Sequence, residues 1–83
     1  MPNIRIEFYG AFREYAKEMN LSLPKNATLE DVFRELNANM PELNRKIEAT
    51  ETAIIVVNGR RVERGYVLQD GDVVKFFSSV LGG

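Results

Sequence analysis

The sequence predicts a two-layer α+β domain, with one main helix packed on one face of a single sheet. Three observations lead there. Short segments of alternating or unbroken apolar character stand at both ends of the chain, where strands are expected. One strong helical stripe lies between them, over Leu29 to Met40. The second half is punctuated by two tight-turn signals, Asn58-Gly59 and Asp70-Gly71-Asp72.

The elements follow in order. Ile4, Ile6 and Phe8 alternate with Arg5, Glu7 and Tyr9, which reads as a strand with one buried face. Gly10 breaks it. Phe12, Tyr15, Ala16 and Met19 recur at helical spacing, so a short helix is expected from Ala11 to Glu18. Leu21 and Leu23 flank Ser22 as a second strand running back beside the first, and Pro24-Lys25-Asn26 ends it. Thr28 and Asp31 have the spacing of a capping box, with aspartate in place of the usual Glu or Gln. Leu29, Phe33, Leu36 and Met40, with Val32 beside them, form the buried stripe of the main helix, which Pro41 ends. Residues 41 to 52 are polar, with room for one more helical turn around Leu43 and Ile47. Ala53 to Val57 is continuously apolar and reads as a strand covered on both faces. Asn58-Gly59 favours a type I′ turn, because both central positions need positive φ, and Arg60-Arg61-Val62 returns as a short edge strand. Val73 to Phe77 is the last strand. The expected organisation is one folded domain over residues 1–77 and a flexible C-terminal tail over 78–83 ending in Gly-Gly.

Composition excludes several functions. The 83 residues suit one domain. Eleven basic and twelve acidic residues give a formal charge of −1, without the basic excess of a nucleic-acid binder, so no nucleic-acid partner is expected. The chain has no cysteine and no histidine. Disulfides, a thiol nucleophile and thiolate or imidazole metal ligands are therefore outside its repertoire, and no metal site is expected. The N-terminus lacks the apolar core of a signal peptide and no apolar run reaches membrane-spanning length, so no membrane association and a cytoplasmic location are expected.

The feature that carries chemistry is the end, Phe76-Phe77-Ser78-Ser79-Val80-Leu81-Gly82-Gly83. Glycine has no Cβ, so a Gly-Gly end threads a channel that any side chain would block, and it leaves a terminal carboxylate sterically open. Such a carboxylate can be activated as an acyl adenylate and attacked by a sulfur nucleophile. The chain carries neither a P-loop nor a Rossmann glycine pattern, so the nucleotide site must belong to a separate enzyme. The bland alternative is a frayed terminus.

Taken together, Phe8 to Glu14, Leu23 to Val32, Val56-Val57-Asn58-Gly59, Leu68 to Val74, Phe76-Phe77 and Gly82-Gly83 resemble the MoaD/ThiS family of sulfur carriers, most closely its MoaD branch of small molybdopterin synthase subunits. The resemblance spans almost the whole chain. It implies a ubiquitin-like β-grasp fold, a mixed sheet whose first and last strands lie side by side in parallel. It implies that the Gly83 carboxylate is adenylated by an E1-like enzyme using ATP and converted to a thiocarboxylate, with no cofactor bound by this chain. It implies that Gly82, Leu81 and Val80 line an arm inserted into the large subunit of molybdopterin synthase, where sulfur passes to a pterin precursor of the molybdenum or tungsten cofactor. On this pattern Tyr9 and Phe77 match an apolar patch beside the tail and Arg13 matches an arginine of the family.

Each of these three has a plainer reading. Phe76 and Phe77 point to opposite faces of a strand, so one belongs to the core, while Tyr9 fits an ordinary half-exposed strand position and Arg13 a solvated helix. The sequence also departs from the family pattern: Ser78-Ser79 stand where many members have proline, Leu81 precedes the glycines, and Arg61 follows the hairpin turn. Carriers for tRNA thiolation or thiamine synthesis, a ubiquitin-like protein modifier, and an interaction module with an idle terminus therefore stay open. Arg60, Arg61 and Arg64 form a basic cluster, either a solvated edge that discourages aggregation or a surface for an acidic partner.

Overall fold

In the computed structural model, residues 1–78 are described. The alternation at the start of the chain becomes strand β1 (Asn3–Tyr9), whose Ile4, Ile6 and Phe8 are buried while Asn3 and Arg5 face solvent. A 3₁₀ helix (Gly10–Glu14) follows, then β2 (Glu18–Ser22), α1 (Leu29–Asn39), α2 (Pro41–Ala49), β3 (Ile54–Val57), β4 (Arg60–Arg61) and β5 (Val73–Phe77). The five strands form one mixed sheet in the order β2-β1-β5-β3-β4. β1 and β5 are parallel, with Ile6 opposite Val74, Phe8 opposite Phe76 and Tyr9 opposite Phe77. The other pairings are antiparallel. This is the β-grasp arrangement expected from the resemblance.

The core lies between one sheet face and the helices. Phe76 is fully buried between Phe8, stacked at 5.6 Å, and Phe33 of α1, edge-on at 5.7 Å. Helix α1 starts where the capping box predicts: the Thr28 amide donates to Asp31 Oδ2 at 2.8 Å, satisfying one of the free donors at the helix start. Leu29, Val32, Phe33 and Leu36 are buried, and Met40 packs at the margin.

Three expectations are corrected. The helix expected over Ala11 to Glu18 is a five-residue 3₁₀ helix, because Glu18 and Met19 are taken into β2 opposite Glu7 and Ile6. Phe12 alone of its apolar stripe is buried. Pro41 does end α1, but the polar stretch after it is a full nine-residue helix rather than a single turn. Proline is favoured at the first helical position, where its missing N–H is no loss, and Leu43 and Ile47 suffice to bury a helix that touches the core along one narrow stripe. The β3 segment is not covered on both faces: Val57 is buried, but Ile54, Ile55 and Val56 are half-buried. Its neighbour β5 aligns Ile54 with Phe77 and Val56 with Lys75, on the face that carries no helix.

The two turns are built as their glycines predict. Asn58 and Gly59 have φ of 53° and 78°, the left-handed pair a type I′ hairpin needs. At the second turn the Asp72 carboxylate, only 5% exposed, accepts from the Gln69 amide at 2.8 Å and from Asn58 Nδ2 at 3.2 Å. Asp70 Oδ1 accepts from the Asn3 amide at 2.8 Å, the Gly71 amide donates to the Asn3 carbonyl, and the Arg5 amide donates to the Asp72 carbonyl. The turn therefore joins the β3–β4 hairpin to the start of β1 and sets β5 in register beside it. Among the described residues, no helix is long and apolar enough to cross a membrane.

Candidate functional site

Because β1 and β5 run parallel and in register, their last residues emerge at the same end of the sheet. That end is where the chain departs toward Gly82-Gly83. Tyr9 and Phe77 project on the face without helices, each half-buried, and their rings stack with centroids 4.9 Å apart and planes 12° from parallel. Ile54 lies across from Phe77 on β3, so Tyr9, Phe77 and Ile54 form an apolar row across three strands. Phe76, by contrast, is core. The sequence placed one aromatic of the pair inside and one outside, and the register decides which.

The row is edged by charge. The Tyr9 hydroxyl donates to Glu7 Oε1 at 2.5 Å, and Glu7 also meets Arg5 Nε at 3.1 Å. Arg5 reaches further to Glu18 at 2.9 Å. The Tyr9 hydrogen bond, more than the nearby Arg5 charge, holds the Glu7 carboxyl below the usual carboxylate range, although partial burial opposes it. The same bond to an anionic acceptor pushes the Tyr9 hydroxyl above its ordinary value. Arg13, exposed on the 3₁₀ helix, carries its guanidinium 5.9 Å from the Tyr9 ring centroid, the outer limit of a cation–π contact. One row lower, Glu7, Lys75, Val56 and Arg61 follow one another across the sheet, acidic toward β2 and basic toward β4.

The structure thus brings together Tyr9, Phe77 and Arg13. Val80, Leu81, Gly82 and Gly83, the other predicted site residues, lie outside the described residues. The expected cluster of Arg60, Arg61 and Arg64 is divided. Arg64 sits over the Phe33 ring at 4.0 Å and pairs with Glu30 at 2.9 Å and with Glu48. It fastens β4's following loop to the two helices, and only Arg60 and Arg61 stand on the exposed edge strand. Sequence reasoning missed Glu7 as the partner of Tyr9, although residues two apart on a strand share a face. It also missed Ser78, whose Oγ accepts from the Ala11 amide at 2.9 Å. No local pattern signals a contact between residues 67 apart.

A β-grasp domain with an apolar row at the exit of its last strand, followed by Gly-Gly, is the architecture of a ubiquitin-like carrier. The comparisons agree. The chain belongs to the ThiS family, whose match covers residues 6–83 and so includes the Gly-Gly pair. Among solved structures it is similar to a protein assigned as subunit 1 of molybdopterin converting factor from Pyrococcus furiosus. The two are 26% identical over 96% of this chain and 100% of that one, with a TM-score of 0.77. It is similar to SAMP1 from Haloferax volcanii, at 20% identity over 98% of this chain and 99% of that one, with a TM-score of 0.85. It is also similar to a chain in the complex of subunits 1 and 2 of the molybdopterin-converting factor from Helicobacter pylori. That match has 21% identity over 98% and 99% of the two chains and a TM-score of 0.69. At these last two identities the likeness speaks for the fold. No curated protein matches the sequence.

Proposed function

We propose that this chain is a sulfur carrier that works as the small subunit of a molybdopterin synthase, with Gly83 as the reacting residue. The observation that carries the reading is the family match, which runs through Gly82-Gly83 without a break. The name of the Pyrococcus furiosus relative, the one at 26% identity, supports the molybdopterin branch.

The chemistry needs a partner at each step. The Gly83 carboxylate attacks the α-phosphorus of ATP held by an E1-like enzyme, and pyrophosphate leaves. Sulfide attacks the acyl carbon and AMP leaves, which gives the thiocarboxylate directly. A persulfide donor instead gives an acyl disulfide, and a second thiol must then cleave its S–S bond, forming a disulfide with the donor and freeing the thiocarboxylate. The tail, from Val80 through Leu81 and Gly82, then enters the large synthase subunit and gives sulfur to a pterin precursor. The chain itself supplies no nucleotide or metal chemistry in this scheme. It supplies a slender end and a docking face. The Tyr9–Phe77–Ile54 row beside the exit is the apolar centre of that face, and Arg13, Lys75 and Arg61 are charges at its rim, where they favour orientation and association rate over affinity. The work is cytosolic, where activating enzyme and ATP are both present.

A second reading shares the first step: an amine in place of sulfur attacks the adenylate and leaves an isopeptide bond, as in a protein modifier. One experiment separates these. The protein is incubated with ATP, a sulfur source and the E1-like enzyme of the same cell, and its intact mass is taken at high resolution. The expected product has one oxygen replaced by sulfur in the C-terminal peptide, resolved from oxidation of Met1, Met19 or Met40, and is absent when Gly82-Gly83 is deleted. Conjugates on a denaturing gel in place of that product would favour the modifier. Neither product, with a proven active enzyme, would refute both.

A further inference from the structure

The first residue beyond the sheet makes a contact that the docking face does not require. Ser78 follows Phe77 on β5, and Gly10 follows Tyr9 on β1. The Ala11 amide, a free donor at the start of the 3₁₀ helix, donates to Ser78 Oγ at 2.9 Å, so the hydroxyl acts as a helix cap delivered from the far end of the chain. Gly10 has φ of 66°, where L side chains are rarely found. A Cβ built on it would lie 2.1 Å from Ser78 Oγ and 3.2 Å from the Ser78 carbonyl oxygen. Gly10 is therefore needed twice, for its backbone conformation and for the space the Ser78 hydroxyl fills.

We infer that Ser78 is a positioning residue: seated over Gly10, it fixes the direction in which the chain leaves the sheet, and thereby where the Gly82-Gly83 end is presented to its activating enzyme. The inference rests on the carrier reading. A chain leaving a strand end without an anchor samples many directions, and ordering it in a narrow channel costs entropy at each encounter. Holding the first residue past β5 removes part of that cost before binding. Proline would do so by fixing φ; here a hydroxyl does it through one hydrogen bond.

Ser78→Ala removes the acceptor, and Ser78→Thr keeps it. On the full chain, hydrogen exchange at the Ala11 amide is expected to quicken roughly fivefold in Ser78→Ala, the worth of one net hydrogen bond, with β1 and β5 amides quickening by no more than the fall in overall stability and Thr restoring protection. In the activation assay, kcat/KM for the carrier falls by a similar factor, roughly fivefold, through KM with kcat held, while the melting temperature falls by only about 4–8 °C, the worth of the same bond, and the chain stays folded at the assay temperature. An equally protected Ala11 amide in Ser78→Ala, or an unchanged kcat/KM beside an active wild type, overturns the positioning role alone. A wild-type chain that is never activated overturns the carrier reading, and the inference falls with it.

Discussion

Replacing Phe76 and Phe77 separately by alanine tests which face of the last strand holds the fold and which one meets a partner. Phe76 has no exposed surface and packs on Phe8 at 5.6 Å and Phe33 at 5.7 Å. Its truncation leaves a cavity between sheet and helix, for which phenylalanine-to-alanine changes cost about 3–5 kcal/mol. A domain of this length has a total stability of roughly 4–12 kcal/mol, so the Phe76→Ala chain is expected to be close to unfolding. Phe77 is half-buried on the open face and its main neighbour is the Tyr9 ring at 4.9 Å. Losing that stacked pair and part of the buried ring area costs about 1–2 kcal/mol. Urea unfolding followed by circular dichroism measures both, and a titration of each folded variant with the activating enzyme measures docking. The expected pattern is a mild stability loss with clearly weakened docking for Phe77→Ala. Equal stability losses for the two variants would refute the assignment of faces. A Phe77→Ala chain that docks as tightly as the wild type would refute the role of the aromatic row.

Two further outcomes follow from the polar contacts. Asp72→Ala removes the charged acceptor of the part-buried Gln69 amide and frees Asn58, so urea unfolding should show a loss of about 1–3 kcal/mol, and a loss below a few tenths would mean that the turn holds without it. The Tyr9–Glu7 bond predicts opposite pH effects at the two extremes. Glu7 is shifted down, so its contribution is present above the ordinary carboxylate pKa of about 4 and is lost as pH falls through the folded value. Tyr9 is shifted up, so its contribution is present below about pH 10 and is lost as pH rises through the folded value. Tyr9→Phe should raise the Glu7 midpoint in an NMR titration, and an unmoved midpoint would show that the Arg5 and Lys75 charges set it without the tyrosine.

Much of this fold was legible because its signals are local. The alternation in β1, the Thr28/Asp31 box, Asn58-Gly59 and Asp70-Gly71-Asp72 each depend on residues within a few positions of one another. The errors arose where a distant partner decides. Tyr15, Ala16 and Met19 have helical spacing, but pairing with β1 takes Glu18 and Met19 as a strand. Leu43 and Ile47 alone could not announce a nine-residue helix among polar neighbours. The unbroken run from Ala53 to Val57 resembles a strand buried on both sides, whereas Ile54 and Val56 stand on an open face. An apolar open face is what a docking surface looks like from the inside of a sequence, and composition does not tell it from core. The same holds for the site. Tyr9, Phe77 and Arg13 were picked out through the family resemblance, and only the parallel register shows why they meet. Ser78 carried no signal, since its contact joins the two ends of the chain.

That the two ends meet at the middle of the sheet has a mechanical meaning. β5 lies between β1 and β3, hydrogen-bonded on both sides. A pull on the C-terminal end acts along β5 and loads two ladders in shear at once, so many bonds must give together before the strand slides. An edge strand would peel away one bond at a time. The same placement governs synthesis on the ribosome. The central strand is the last to emerge, the β1–β5 pairing closes a loop of nearly the whole chain, and such distant contacts make folding slow. The sheet cannot close until Val73 to Phe77 has been made, so the domain that can resist a pull along β5 forms only after its central strand has emerged.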